Sequence, residues 1–301
     1  MRWPFKRTGF ENETSATTIV AELAAKGISR DKISGRHLRG IYRQLKIWAD
    51  IPDFSAIRGI FPHPPAPVEG DGPPVLGVIV ETRPHTALAH VIANALQTLN
   101  IPIQLLHGRN NLEYILSEPI AEHVKAGTVF LTALDIDALT ASKYNALLMS
   151  EEFWRQLGTR RKVMIFQTDS IFCSRSDYTL ADFHRFDYIG AKWKRQRPIG
   201  LTIEGGNGGL SLRDWNRSVE CLQRFPPKQW PGGEDGYFAF HMDVMGGTVA
   251  RMEDCAKFAT QDEFLYKSFG AHQITRLDEA SEQRFLEYCP DACFMRRVSI
   301  G

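Results

Sequence analysis

Short apolar runs alternate with longer amphipathic segments between residues 75 and 166, and this alternation limits the fold more than any other feature. The runs lack helical periodicity, whereas the longer segments repeat their apolar residues at helical spacing. Strand, helix, strand units of this size build a mainly parallel sheet that helices cover on both faces. The predicted strands span residues 75–80, 103–106, 129–131 and 163–166, and the predicted helices span residues 87–99 and 143–157.

A separate helical region is predicted ahead of this α/β pattern. One helix begins near Thr14 and ends at Gly27, and a second helix has an apolar side and a basic side. The apolar side carries Leu38, Ile41, Tyr42, Leu45 and Trp48, and the basic side carries Arg36, Arg39, Arg43 and Lys46. Because proline and glycine are frequent in residues 61–74, we predict a linker there, between a helical region (1–60) and an α/β domain (75–301).

The basic side of the second helix has three interpretations. It could contact nucleic-acid phosphates, because residues 23–42 faintly resemble a helix-turn-helix. It could lie on anionic lipid, with Trp3, Phe5 and Trp48 nearby. It could also be a solvated face of helices that pack on the main domain or form a dimer contact. The sequence predicts no oligomeric state.

The composition excludes several classes of protein. The 301 residues carry a net charge of +1, so no strong overall field recruits nucleic acid, and we expect no nucleic-acid partner. The five cysteines form no CxxC pair and lie apart from histidine clusters, which favours reduced thiols over disulfides or a zinc site. No signal sequence or membrane-spanning segment is evident. We expect a cytoplasmic protein, with peripheral contact at the inner face of the membrane as an option.

A carboxylate follows the last predicted strand of the α/β pattern. The run 163–166 leads through Gln167 to Asp169, and the chain then turns apolar again. A charge beside a buried strand is costly unless a cation or hydrogen bonds compensate it, and ligands in α/β proteins bind at this edge of the sheet. Asp169 is therefore interpreted as a contact to a metal or a phosphosugar, or alternatively as a cap of the next turn.

Residues 204–213 contain four glycines within five positions. Such a segment permits close backbone approach, so it can press against a sugar or phosphate, and Leu210 and Leu212 suggest that it is anchored. It lacks the lysine of a P-loop and the spacing of a dinucleotide-binding motif. We predict a binding loop over residues 205–209, with a plain flexible turn as the alternative.

Two adjacent carboxylates, Glu234 and Asp235, lie between glycines and an aromatic run. A general base must reach the proton of its substrate, and neighbouring glycines leave room for that substrate. Alternatively, the two acids begin a helix and are favoured there by its dipole.

Two further candidates are a histidine and an arginine. His272 is a lone histidine, which is more often structural than ligating, unless Asp169 lies beside it. Arg83 follows the first strand of the α/β pattern and suits a phosphate, or else forms a surface salt bridge with Glu81.

The ordered set of motifs over roughly residues 75–275 resembles GT-A-type glycosyltransferases. It is particularly similar to a poorly characterised bacterial and fungal family of glycosyltransferase-like proteins. The motifs are Val80-Glu-Thr-Arg83, Asn94, His107-Gly108, Tyr144-Asn145, Phe153-Trp154, Phe166-Gln-Thr-Asp169, Tyr188-Ile-Gly-Ala191, Trp193, Asn207-Gly-Gly-Leu-Ser-Leu-Arg213, Glu234-Asp235 and Phe269-Gly-Ala-His272. The resemblance implies a single Rossmann-type domain with a mixed, mainly parallel sheet.

The resemblance also implies roles for individual residues. Mn²⁺ or Mg²⁺ would be held by Asp169 and His272, although Gln167 replaces the first aspartate of the usual Asp-x-Asp motif. Asp235 would be the catalytic base, and Glu234 would assist it and bind the acceptor. The donor nucleotide would contact Glu81, Arg83, Gln167, Asp169, Gly208 and Gly209, and the acceptor or sugar would contact Trp193, Asn207 and Glu234.

The activity that follows is transfer of a sugar from a nucleotide-diphosphate sugar to a hydroxyl of a glycan or glycolipid, with inversion. The implied setting is the synthesis of surface polysaccharide or lipopolysaccharide. The alternative is a non-catalytic module that binds nucleotide sugars or glycans through a degenerate metal site, which Gln167 favours.

Overall fold

The computed structural model describes residues 14–45, 51–55, 57–61, 74–158, 162–193 and 200–298. The strands are β1 (Thr14–Ser15), β2 (Val75–Glu81), β3 (Ile103–His107), β4 (Val129–Ala133), β5 (Lys162–Phe166), β6 (Ser170–Phe172), β7 (Tyr188–Ala191), β8 (Leu201–Thr202), β9 (Asn207–Asp214), β10 (Ala259–Thr260) and β11 (Gly270–His272).

The α-helices are α1 (Ala16–Ala25), α2 (Gly35–Tyr42), α3 (Ile57–Ile60), α4 (Leu88–Leu99), α5 (Leu112–Ser117), α6 (Ile120–Lys125), α7 (Ala141–Leu148), α8 (Glu151–Arg155), α9 (Trp215–Arg224), α10 (Glu234–Met245), α11 (Met252–Phe258), α12 (Glu279–Tyr288) and α13 (Cys293–Val298). Short 3-10 helices lie at Arg30–Lys32, Leu180–Phe183, Pro227–Gln229, Ile274–Arg276 and Pro290–Ala292.

The central sheet has the strand order β4-β3-β2-β5-β9-β7. Strands β2 to β5 run parallel, and β9 runs antiparallel to both of its neighbours. Alternate residues of β5 face opposite sides, so Val163 and Ile165 join one hydrophobic cluster while Met164 and Phe166 join the other. The predicted α/β class with a mixed, mainly parallel sheet is confirmed.

Two of the element assignments predicted for the α/β part of the chain are wrong. The helix predicted over residues 143–157 is two helices, α7 and α8, because the Ser150 hydroxyl accepts a hydrogen bond from the Phe153 amide and starts a new helix. The loop predicted over residues 205–209 is strand β9 from Asn207 onward, and only residues 204–206 precede it. Asn207 pairs with Ala191 of β7, and the strand continues into residues 210–214, which pair with β5.

A smaller sheet has the strand order β10-β11-β6, and β6 follows β5 in the chain after residues 167–169. Strand β11 runs antiparallel to β6, so that His272 pairs with Ser170. This register carries the end of β11 to the segment that follows β5. The main consequence is that His272 lies next to Asp169.

The helices near the N-terminus pack into the core of the α/β fold. Ile19, Leu23 and Leu38 belong to the same buried cluster as residues of helix α10. Helix α2 ends at Tyr42, so its predicted continuation to Leu45 is wrong, although Leu45 is buried. The predicted division into a helical region, a linker and an α/β domain stays a prediction.

Parts of these predictions lie outside the described residues, namely Trp3, Phe5, Lys46, Trp48 and most of the linker. Arg36, Arg39 and Arg43 of the predicted basic side are exposed. No helix in the described part of the chain has both the length and the apolar character needed to cross a bilayer.

Candidate functional site

A cleft opens at the carboxyl edge of the central sheet, between β2 and β5. The chain order reverses here, because β3 and β4 lie on one side of β2 while β5 lies on the other. Ligands of α/β proteins characteristically bind at such a switch point. The cavity measures about 480 Å³, and its lining includes every site residue predicted from the sequence: Glu81, Arg83, Gln167, Asp169, Trp193, Asn207, Gly208, Gly209, Glu234, Asp235 and His272.

Three polar side chains converge beside β5. Nε2 of the buried His272 lies 3.2 Å from Oδ1 of Asp169 and 3.3 Å from Oε1 of Gln167. Oδ1 of Asp169 is buried and has no hydrogen-bond donor among the described residues. Burial raises the pKa of the Asp169 carboxyl, but interactions with the His272 imidazole and the Gln273 side chain outweigh it, so the net pKa is lowered.

The other ring nitrogen of His272 has a partner that the sequence did not reveal. Nδ1 lies 3.0 Å from Oε1 of Gln261, which is buried and also lines the cavity. If a cation were bound beside Asp169 and Gln167, Nδ1–H could donate to this oxygen and leave Nε2 free to ligate the cation. Gln261 follows the two-residue strand β10, and a strand that short leaves no periodic signal in the sequence.

A buried ion pair lies behind the cleft. Arg213 is fully buried on β9, and its Nη1 donates to Oε2 of Glu234 at the start of helix α10. The guanidinium also lies over the rings of Tyr188 and Phe238. Burial raises the pKa of the Glu234 carboxyl, and the Arg213 charge opposes that shift. Arg213 belongs to one of the motifs described above, but no role was predicted for it.

Asp235 occupies the next position of helix α10 and is half-buried. The backbone amide of Gly236 donates a hydrogen bond of 2.7 Å to Oδ1 of Asp235. Nδ2 of Asn207 donates one of 3.4 Å to Oδ2. Asn207 is in turn held by the Gly209 amide, which donates to its Oδ1 over 2.8 Å. The carboxylate is therefore oriented by neutral donors rather than by a cation.

Gly208 and Gly209 make room for the side chains of the site itself. A Cβ at Gly209 would overlap the imidazole of His272 and approach Oε1 of Gln167 to 2.9 Å. A Cβ at Gly208 would overlap Oε1 of Glu234. Strand β9 thus passes so close to both polar clusters that only hydrogen fits at these two positions.

Five carboxylates line the cavity among the described residues, and three of them are paired with arginine. Glu81 pairs with Arg83 at 2.9 Å, Asp262 pairs with Arg276 at 3.3 Å, and Glu234 pairs with Arg213. The ion pairs recorded for the described residues give neither Asp169 nor Asp235 an arginine or lysine partner, and only His272 lies beside Asp169. These two carboxylates are the negative charges left to act on a ligand.

The donor set beside β5 suits a divalent cation that a ligand helps to hold. Among the described residues, no three His, Cys, Asp or Glu side chains form a metal-binding group. One carboxylate, one imidazole and one amide oxygen nevertheless converge, and the carboxylate has an unsatisfied buried oxygen. Mg²⁺ is commonly bound by one or two carboxylates together with substrate phosphates, so this set fits a cation completed by a diphosphate.

A family model described as "Protein of unknown function (DUF5672)" matches residues 131–272. The matched segment runs from β4 to β11 and contains Gln167, Asp169, Asp235 and His272, but not Glu81 or Arg83. The search of curated proteins found no match.

Several solved structures show weak similarity. A mannosyltransferase, PcManGT from Pyrobaculum calidifontis in complex with GDP-Man and Mn²⁺, is 13% identical with a TM-score of 0.34, covering 69% of this chain and 58% of that one. The apo-form glycosyltransferase GlyE from Streptococcus pneumoniae is 12% identical with a TM-score of 0.43, covering 74% and 64%. A nucleoside-diphosphate-sugar pyrophosphorylase from Vibrio cholerae is 11% identical with a TM-score of 0.38, covering 57% and 88%.

This chain therefore spans less than two thirds of the length of the first two proteins. At such low identities and TM-scores, these likenesses identify neither an activity nor a substrate for it.

Proposed function

We propose that this protein is a GT-A-type glycosyltransferase that moves a sugar from a nucleotide-diphosphate sugar to a hydroxyl of a glycan or glycolipid. The observation that carries the proposal is the pairing of charges in the cleft. Arginines pair three of its carboxylates and leave Asp169 and Asp235, which line one cavity with His272. Asp169 would help to hold a cation beside the leaving diphosphate, and Asp235 would act on the acceptor hydroxyl.

Asp235 would act on the acceptor. Its carboxylate is held by Asn207 and by the Gly236 amide, and no cation competes with the incoming hydroxyl for it among the ion pairs of the described residues. It would accept the hydroxyl proton as the oxygen attacks the anomeric carbon, which is general-base catalysis. Attack from the face opposite the leaving diphosphate inverts the anomeric centre.

Glu234 would position Asp235 and border the acceptor. Its Oε2 is bound by Arg213 and its backbone amide donates to Oδ1 of Asn145 over 3.1 Å, which together fix the start of helix α10. Trp193 is half-buried in the same cavity and would lie against a sugar ring.

Asp169, His272 and Gln167 would hold Mn²⁺ or Mg²⁺ beside the diphosphate. When bound, such a cation stabilises the negative charge that grows on the leaving group. Glu81 and Arg83 at the end of β2 would border the nucleotide, with Arg83 presenting the edge of its guanidinium that Glu81 leaves uncovered. The family resemblance alone supports three further proposals. They are a role in surface polysaccharide or lipopolysaccharide synthesis, a cytoplasmic location and contact with the membrane surface.

The test is turnover by Asp235→Asn in the full chain. A thermal-shift screen across nucleotide sugars with Mn²⁺ first identifies the donor, because a bound ligand stabilises the fold by mass action. We expect Asp235→Asn to lower turnover by about 10²–10⁴-fold while donor affinity is kept. Asp243→Asn, on the same helix but outside the cavity, is the matched control. Near-normal turnover in Asp235→Asn would remove this residue from the base role.

A second candidate is a non-catalytic module that binds nucleotide sugars. It is favoured by the contact of Gln167 with His272, because a neutral amide oxygen stands where a second carboxylate would strengthen a metal site. Calorimetry with nucleotide sugars, with and without Mn²⁺, separates the two functions when it is followed by a turnover assay. Tight binding without product for any acceptor would support the module.

A further inference from the structure

A second cavity adjoins the first one at Asp169. It measures about 310 Å³ and shares with the first cavity the residues Arg83, Thr168, Asp169 and Gln273. Asp235 and Glu234 line only the first cavity. The proposed cation site therefore lies at the junction, with the proposed base on one side and the second cavity on the other.

We infer that this second cavity holds the nucleoside of the donor, closed on one side by the C-terminal helix α13. The inference rests on the proposed function and follows from the order of groups in the reaction. The base, the acceptor oxygen, the anomeric carbon and the leaving phosphate lie in sequence, and the nucleoside continues beyond the diphosphate. With the diphosphate at Asp169, the nucleoside must extend away from Asp235, and the second cavity opens there.

The lining of the second cavity suits a nucleoside. The apolar part of its lining consists of Ala87, Ile274, Phe294 and Met295, and Arg83 and His85 are among its polar residues. Ligand sites combine apolar walls with a few polar groups in this way, and a volume near the lower end of their range fits a nucleoside rather than a whole nucleotide sugar. An aromatic side chain such as Phe294 offers the face on which bases stack.

The C-terminal wall is anchored to the fold. The Phe294 ring stacks on His90 of helix α4 with 5.1 Å between ring centroids and 23° between planes. Met295 is buried in a cluster with Ile274 and Phe285. Helix α13 is thus a fixed boundary of the cavity, and its residues lie outside every motif of the family resemblance.

The experiment separates the nucleoside from the diphosphate. Calorimetry in Mn²⁺ compares UDP and GDP with inorganic pyrophosphate, which carries the diphosphate but no nucleoside. Thr275→Trp introduces a bulky ring from an exposed position on the lining of the second cavity, so the core is not disturbed. Thr128→Trp, an exposed threonine before β4, is the matched control.

We expect Phe294→Ala to weaken the better-bound nucleoside diphosphate by about tenfold or more, a loss typical of one base-stacking contact, and to leave pyrophosphate affinity unchanged. Thr275→Trp should also weaken the nucleotide, because the added ring fills part of the cavity, and should spare pyrophosphate. Unchanged nucleotide affinity in both variants would overturn the inference while the proposed function stands, as would an equal loss of pyrophosphate. If the unaltered protein binds neither UDP, GDP nor pyrophosphate, the proposed function fails and the inference fails with it.

Discussion

Nε2 of His272 and Oδ1 of Asp169 lie 3.2 Å apart, although the two residues belong to distant parts of the chain. The pairing of β11 with β6 produces this contact, since His272 is opposite Ser170 in the ladder and the Gln273 amide donates to the carbonyl of Asp169. Backbone hydrogen bonds on both sides hold the two side chains together before any ligand binds. The pair is preorganised, and its chemistry can be tested by changing the charge around it.

Replacing Gln167 with glutamate should strengthen cation binding. The side chains have the same length, so Gln167→Glu adds a negative charge at an oxygen already 3.3 Å from Nε2 of His272. We expect Mn²⁺ affinity, measured by electron paramagnetic resonance of free Mn²⁺, to rise by on the order of tenfold. Asp169→Asn should lower it by a similar factor. Unchanged affinity in both variants would mean that no cation is held there.

A methyl group at Gly208 or Gly209 should displace the side chains of the site and destabilise the fold. Gly209→Ala must displace the His272 ring, and Gly208→Ala must displace Glu234. We expect each substitution to lower the free energy of unfolding by about 1–3 kcal/mol, as overpacking does, with Gly209→Ala also weakening Mn²⁺ binding. Gly59→Ala is the control, because a Cβ there meets no atom within 4 Å. If urea unfolding gives the same free energy of unfolding for all three variants, strand β9 does not lie as close to His272 and Glu234 as described.

The parallel part of the sheet was predictable from the sequence, but its antiparallel edge was not. Strands β2, β3 and β5 are buried along almost their whole length and are mostly apolar, which is a strong signal, whereas β4 at the edge of the sheet is only partly buried. Strand β9 begins with Asn207, Gly208 and Gly209, whose composition favours a loop. They belong to a strand because Asn207 pairs with Ala191 of β7 and the residues after Gly209 pair with β5, and the local sequence does not reveal these partners.

The candidate site was predictable where a residue type had few alternative uses. A carboxylate after a buried strand and an acid between glycines indicated Asp169 and Asp235, and the structure brings both to one cavity. Gln261 and Arg276 gave no signal, because their positions depend on strands of two or three residues. The burial of Arg213 was equally hidden, since a buried arginine is stable only beside a partner that the sequence does not identify.

Removing one partner of the buried ion pair should lower the free energy of unfolding more than removing both partners. Arg213→Met leaves Glu234 without its cation in a buried environment, so we expect the free energy of unfolding to fall by about 3–5 kcal/mol. The double variant Arg213→Met, Glu234→Met removes both charges and should recover much of that loss. Urea unfolding of the two single variants and the double variant gives the coupling. Purely additive losses would contradict a direct interaction.

The buried His241 should make the fold sensitive to mild acid. Its Nδ1–H donates a hydrogen bond of 2.7 Å to the carbonyl of Tyr237. Its Nε2 therefore accepts a hydrogen bond of 2.6 Å from the Tyr42 hydroxyl. Burial lowers the pKa of His241 to about 3, against an unfolded value of about 6.5. Below about pH 6.5 the unfolded chain therefore binds a proton that the folded chain does not.

The free energy of unfolding should fall as the pH decreases from about 6.5 toward 3, with His241 contributing up to about 1.4 kcal/mol per pH unit. His241→Gln cannot titrate, so we expect it to be less stable at pH 7.5 but to lose less stability between pH 6.5 and 5. His123→Gln, at a half-buried histidine on helix α6, is the matched control and should keep the full slope. Urea unfolding at each pH measures the three slopes, and equal slopes would show that His241 is protonated in the folded state.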